Sequence, residues 1–327
     1  MDPLYITTRP GRVVNRFISY LLFEGRPLTT KGRWINPFLF FLFSIEKKLP
    51  QLKKVKKPVF ILGTGRSGTT ILGLILSMHR DVGFLNEPKA MWYSIYQKED
   101  IIGNYTQGDA YYRLSADEVT EEIRYTAHRL YGAYLTVSRS KRVIDKYPEL
   151  IFRVPFVKAI FPDARFIFLV RNGWSVIQSI HEWSERLGIR MQGKTHDWWG
   201  VNNRKWHLLV DQIVANDSAF TDVLSGIRNL TSHKDMAAVE WGVTMNEGLS
   251  VMEQYPDAVK LIRYEDLIQN PVDVLTTITD FCGLPHDDAV HKYAVKVLRP
   301  ASSYTPGNLH PLIQCQFDET MSKLGYR

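Results

Sequence analysis

Four consecutive apolar residues, Val59, Phe60, Ile61 and Leu62, run straight into Gly63–Thr64–Gly65–Arg66–Ser67–Gly68–Thr69–Thr70, and a second apolar run starts at once with Ile71 and Leu72. A short, unbroken apolar run bounded by glycine suits a strand buried on both faces. Residues 69–78 then place Ile71, Leu72, Ile75 and Leu76 on one side of a helix. Strand, glycine loop and helix in such quick succession predict an α/β fold built on a mostly parallel sheet.

The rest of the chain repeats the alternation. Strands are expected at 142–144, 165–170 and near 259–262, with another returning just before Glu87. Helices are expected at 174–183 and around 272–282. No boundary divides residues 58 to about 300, so 57–327 reads as one domain with helices on both faces of its sheet.

Residues 1–56 read as an arm. An apolar-rich segment at 13–23 leads to a turn, Gly25–Arg26–Pro27, and then to 34–45. The basic run Lys47, Lys48, Lys53, Lys54, Lys56 and Lys57 follows. The net charge is +7, and residues 1–57 hold 12 Lys or Arg against 3 Asp or Glu, which leaves the body nearly neutral. That is not the cationic coat of a nucleic-acid binder, so none is expected as a partner. Phe, Leu and Trp beside Lys suit contact with a membrane surface; the alternative is that the arm packs on the domain. The apolar stretch 38–45 is too short to span a bilayer, which takes roughly 20 residues, and residues 1–12 lack the apolar run of a secretory signal. Cys282 and Cys315 have no metal-ligand spacing. A cytoplasmic setting is expected, with peripheral membrane contact left open.

Gly63 and Gly68 have the spacing of a P-loop, which wraps backbone N–H groups around an anion and aims a helix N-terminus at it. Where a nucleoside-triphosphate enzyme has its Lys, this chain has Thr69, and the cation is Arg66. The usual ATP or GTP hydrolysis is therefore not expected, whereas a shorter anionic tail fits. A second anion site is predicted where Phe166–Val170 ends in Arg171. Ser175 and Ser179 share a face of the following helix. An Arg fork and a Ser hydroxyl can converge on one phosphate, at the carboxyl edge where open parallel sheets bind ligands.

Residues 58–71, PVFILGTGRSGTTI, resemble the 5′-phosphosulfate loop of the sulfotransferases that use 3′-phosphoadenosine 5′-phosphosulfate, and Arg66 to Thr70 match the family's basic residue–Ser–Gly–Thr–Thr. The resemblance covers roughly residues 58–285. It implies that Gly65, Arg66, Ser67, Gly68, Thr69 and Thr70 hold the donor's 5′ end. It also implies that Arg171 and Ser179 hold the 3′-phosphate, with Asn172–Gly173 in place of the usual Asp–Pro or Asp–Gly. Tyr264, within Leu261–Leu267 and before Asn270–Pro271, is the counterpart of an adenine-contacting Tyr. Glu87, in Phe84–Pro88, resembles the base of the glycan and protein-tyrosine branch. The cytosolic small-molecule branch has a His after a Lys, but here Asp145–Lys146–Tyr147–Pro148 carries none. Lys146 aligns with a Lys that steadies the bridging oxygen, and Arg66 would serve the sulfuryl oxygens. No Asp or Glu cluster suggests a metal, and the reaction needs none where Arg and Lys balance the charge.

The acceptor is expected to be a hydroxyl of a glycan, lipid, small molecule or other acceptor; the basic, aromatic arm suggests a lipid-linked or membrane-proximal one, with glycan hydroxyls and peptide tyrosine as alternatives. His196–Asp197–Trp198–Trp199, with Trp183, Trp206, Trp92 and Tyr93, would either wall its pocket or simply fill core. His79 and His181 read as structural. Ser302 and Ser303 sit where the family closes a loop over the donor. Two rival readings are a small-molecule or nucleotide kinase, which should carry a Lys at position 69 and a metal-binding carboxylate, and a non-catalytic module built on a decayed loop.

Overall fold

A computed structural model describes residues 3–27, 32–191, 193–300 and 306–326; Ser302 and Ser303 lie outside them. The arm forms α1 (Pro3–Thr8), α2 (Pro10–Leu22) and α3 (Asn36–Glu46). Then come β1 (Val59–Gly63), α4 (Thr69–Leu76), β2 (Val82–Asn86), α5 (Lys89–Ile95) and α6 (Glu121–Val137). The middle of the chain gives β3 (Arg142–Lys146), α7 (Val154–Ile160), β4 (Arg165–Val170) and α8 (Gly173–Leu187). After α8 come β5 (Ile189–Met191), β6 (Lys194–Asp197) and β7 (Gly200–Val201), then α9 (Arg204–Gln212), α10 (Leu224–Arg228) and α11 (His233–Gln254). The chain closes with β8 (Val259–Arg263), α12 (Tyr264–Gln269), α13 (Pro271–Cys282), α14 (Asp288–Val297) and α15 (Pro311–Lys323).

The central sheet has the order β2-β3-β1-β4-β8, and every pairing in it is parallel. Alternate residues of each strand enter opposite cores. Phe60, Leu62, Leu85, Val143, Phe166 and Phe168 pack among residues of α5, α6, α7 and α11. Val59, Ile61, Phe84, Ile144, Ile167 and Leu169 pack against α4, α13 and α14. Burial on both faces is why these strands read as continuous apolar runs rather than as alternating ones.

The observed elements differ from expectation in several places, and α8 runs on to Leu187, past the expected end at 183. β3 runs two residues past 144, because Asp145 is held inside by Trp92 Nε1 at 2.9 Å and by the Tyr131 hydroxyl. The helix from Thr69 stops at Leu76, two residues short of 78. The antiparallel sheet β5-β6-β7 was not anticipated, since its strands are short and mostly polar.

The arm has a structural role that composition did not reveal. β2 is an edge strand, and such an edge exposes unpaired backbone groups unless something covers it. Arg12 donates to the Val82 carbonyl at 2.7 Å, and Glu24 accepts from the Asn86 N–H at 2.7 Å. Arg9 grips Asp287 with two bonds of 2.8 and 2.9 Å. The arm therefore packs on the domain along its inner side.

One buried ion pair governs the path of the chain beyond β3. Arg153, 1% exposed, donates to Glu99 at 3.0 Å and to the carbonyls of Glu99, Tyr111 and Tyr112, while the Tyr147 hydroxyl donates to Glu99 at 2.7 Å. Removing one partner leaves the other charge buried and unpaired, which costs about 3–5 kcal/mol. Arg153→Met should lower unfolding stability by that amount, read as a reduced urea midpoint; a change below about 1 kcal/mol would mean the pair is dispensable.

Candidate active site

The parallel register collects the predicted residues at one rim. Gly63 lies beside Leu169, Asn86 beside Lys146, and Val170 beside Arg263. The residues that follow, namely the glycine loop, Glu87, Arg171 and Tyr264, therefore all leave the sheet on its carboxyl side.

In the loop, Gly68 has φ +93° and a side chain there would collide with the Tyr264 ring, so the position demands glycine on two counts. At Gly65 a Cβ would strike the ring of Trp198. Arg66 takes φ +70°, a left-handed conformation that costs a non-glycine residue free energy and recurs at functional sites. The hydroxyls of Thr64 and Ser67 are buried without a hydrogen-bond partner. Buried polar groups are seldom left that way, so these two fit a ligand with acceptor oxygens.

Arg171 and Ser179 both meet the loop, each through Arg66. Arg171 Nη1 donates to the Arg66 carbonyl at 3.0 Å, and Arg66 Nε donates to Ser179 Oγ at 3.0 Å. The Arg171 guanidinium lies 4.8 Å from the centre of the Tyr264 ring, and its Nε is buried without a partner. The two anion-binding groups read from the sequence are thus one contiguous cluster. Burial first, then the cations Arg186 and Arg171, push the Arg66 pKa down. A bound anion would relieve that crowding. Asn172 caps α8, accepting from the N–H groups of Trp174 (3.0 Å) and Ser175 (3.4 Å), so the unusual Asn–Gly supports the turn.

Glu87 also sits in left-handed backbone, at φ +52°, with its N–H on the Lys146 carbonyl at 2.7 Å. Its carboxylate meets Lys146 Nζ directly and Lys89 Nζ at 3.6 Å. Lys146 is not a solvated surface residue: its side chain is 4% exposed, against 37% for Glu87. Desolvation works to raise the Glu87 pKa, but Lys146 and then Lys89 outweigh it and hold the carboxyl well below its ordinary range.

The sequence reading missed how far this pairing extends. Lys89 lies 3.5 Å from Glu149, Glu149 lies 3.8 Å from Lys205, and Lys205 pairs with Glu240. Glu240 in turn accepts from Trp198 Nε1 at 2.6 Å. Lys89 stands only two residues past Glu87, but the other partners come from distant segments with no shared motif.

Two grooves flank Glu87. One, of about 130 Å³, is lined by Gly65, Glu87, Trp183, His196, Trp198 and Lys205, among others. Trp183 and Trp198 meet edge to face with centroids 5.5 Å apart. Trp92, Trp199 and Trp206 are core, and Tyr93 packs against Phe40 and Tyr105. The other groove, of about 270 Å³, includes Tyr20, Arg26, Thr70, Glu87, Lys89 and Lys146 in its wall, so the arm helps to build the site. His79 is structural, its ring bonded to the Pro285 carbonyl at 2.7 Å. Among the described residues no cluster of His, Cys, Asp or Glu is arranged to hold a metal.

The model of the sulfotransferase family matches residues 58–224. Curated relatives include the nodulation protein NoeE of Sinorhizobium fredii, 28% identical over 127 residues (37% of this chain, 30% of the relative). Protein-tyrosine sulfotransferase 1 of Danio rerio is 22% identical over 235 residues (71% of this chain, 54% of the relative). The chain thus spans less than two thirds of the length of these relatives. Among solved structures, sulfotransferase STF9 from Mycobacterium avium shares the fold at a TM-score of 0.50 and 13% identity, over 98% of this chain and 92% of that one. The family match spans just over half of the chain and starts at the residue before β1, and on that ground this protein belongs to the sulfotransferase family.

Proposed function

We propose that this enzyme takes its sulfuryl group from 3′-phosphoadenosine 5′-phosphosulfate and passes it in line to an acceptor hydroxyl, with Glu87 as the base. The observation that carries the reading is the Glu87–Lys146 pair, set beside a loop whose buried Thr64 and Ser67 hydroxyls have no partner. Gly65, Arg66, Ser67, Gly68, Thr69 and Thr70 would hold the 5′-phosphosulfate. Arg171 and Ser179 would hold the 3′-phosphate, and Tyr264 would face the adenine.

Glu87 accepts the acceptor's proton as its oxygen bonds to sulfur. The bond from sulfur to the bridging oxygen breaks, and its electron pair stays on the departing phosphate. Lys146 and Arg66 stabilise that growing charge, and no metal is required. A carboxylate gripped by two lysines is a weak base. A donor oxygen competes for Lys146, so donor binding would loosen that grip and raise the basicity of Glu87 in the loaded site alone.

The acceptor is a hydroxyl on a glycan, lipid or other acceptor, with Trp183 and Trp198 offering aromatic faces to it. Free Cys282 and Cys315 suit a reducing, cytoplasmic setting.

By isothermal titration, 3′-phosphoadenosine 5′-phosphate should bind without magnesium, and Arg171→Ala should weaken it about 10- to 100-fold. Absence of binding to the unaltered protein would end the donor assignment. Glu87→Gln should keep that affinity yet lose transfer of labelled sulfate into host-extract acceptors by roughly 10²- to 10⁴-fold. Normal turnover in that variant would remove Glu87 as the base. The depressed pKa also has a pH signature in kcat/KM, which reports the free enzyme: there Glu87 stays charged as pH falls through the ordinary carboxylate range, and its limb appears only below that range. Lys89→Met removes one stabilising cation and should move that limb upward. An unmoved limb would mean Lys89 does not tune the base.

A further inference from the structure

α3 is apolar on two opposite faces. Leu39 and Phe43 point inward and are buried. Trp34, Phe38, Phe41, Ile45 and Leu49 recur at 4, 3, 4 and 4 residues, one stripe along the helix and its flanking turns, and all are exposed. Trp34 is 83% and Phe41 60% exposed. Ten of the seventeen exposed large apolar side chains among the described residues lie within the first 52 positions. Scattered exposed apolar residues are ordinary, whereas a contiguous stripe of large ones marks a contact surface.

Charge identifies the partner. Residues 25–45 contain no Asp or Glu, Arg33 precedes the stripe, and exposed Lys48 follows on the same helical face. Glu46, the next acid in sequence, has a buried carboxyl oxygen without a partner, and burial raises its pKa to about 7, while Glu122 of α6 weighs on the charge of the neighbouring Lys47. An apolar ridge with Trp at one end and cations at its margins is complementary to an anionic lipid surface, where aromatic rings sit at headgroup level and lysines meet the leaflet's charge.

The ridge is also coupled to the reaction rim. Asn36, at the start of α3, exchanges two bonds of 2.8 Å with the backbone of Arg26, and Pro27 just after it lines both grooves beside Glu87. From the inner side of α3, Phe40 packs on Tyr105, which lines the arginine-bearing groove with Glu87 and Lys146. Arg33 lies near enough to His196 of the tryptophan-lined groove to weigh on its charge.

We propose that the outer face of α3 docks on an anionic lipid bilayer and that the acceptor hydroxyl is carried by a lipid of that surface. The second half rests on the transfer reading above; the first does not.

The test is co-sedimentation with phosphatidylcholine vesicles containing phosphatidylserine. The protein should pellet with them and far less with phosphatidylcholine alone, and Phe38→Asp/Phe41→Asp should reduce partitioning about tenfold or more. Brominated lipid should quench Trp fluorescence, and Trp34→Phe should abolish that component. Circular dichroism melts confirm folding; if the double variant melts early, Trp34→Ser at the most exposed position replaces it. Glu87→Gln should bind vesicles normally, so failure of docking and failure of the chemistry remain distinguishable. A protein that stays in the supernatant overturns the proposal. So does a concentration-dependent dimer that the double variant dissolves, since the stripe would then be an interface between copies. For the acceptor, labelled donor with vesicles of host lipid extract should place label in the organic phase. Label confined to water-soluble products would overturn that half.

Discussion

Every strand of the central sheet runs the same way, and that constraint organises the site. A parallel strand cannot turn straight back, so whatever follows it is delivered to a common rim. Five parallel strands lay the glycine loop, Glu87, the segment after Lys146, Arg171 and Tyr264 along one edge, although they are separated by as much as two hundred residues of chain. Pairing register sets the finer placement. Asn86 lies against Lys146, so the residue after Asn86 turns directly onto the end of β3, where its carboxylate meets the lysine.

The charges at this rim obey a second constraint, that a charge removed from water must be paired. Lys146, Glu87, Lys89, Glu149, Lys205 and Glu240 form an alternating series that ends on Trp198, whose ring edge lies against Gly65 of the glycine loop. Three cations balance three carboxylates. The arginines of the loop and just after β4 stand outside that balance: Arg66 and Arg171 are bonded to a hydroxyl and to a carbonyl. The unbalanced positive charge therefore lies on the side of the glycine loop and Arg171, while the Glu87 carboxylate is held charged by its lysines.

The N-terminal arm joins these features to the surface. It caps the open edge of β2 through Arg12 and Glu24, and it supplies one wall of a groove at Glu87. Packing on the domain and leaving an apolar face outward are not exclusive. A helix such as α3 does both, because its two faces lie on opposite sides of one axis.

The chemical residue types and the parallel strands were legible because they are local. A glycine loop after a buried strand, an Arg at a strand's end and a Ser eight positions on each follow from a few adjacent residues, and the family resemblance rests on the same segments. The small sheet carrying Trp198 was not legible, because strands of two to four mostly polar residues leave no period to read. Nor were Lys146 as a buried partner, the lysine–glutamate series, or the merging of two expected cationic pockets into one. Each depends on which distant side chains the register and the helices bring within 4 Å. Local sequence thus determined what kinds of groups the chain offers and where the strands place them. Tertiary packing alone decided which charges are shielded from water and by whom, and so how basic Glu87 is, because solvation and neighbouring charge belong to the folded arrangement rather than to the residue.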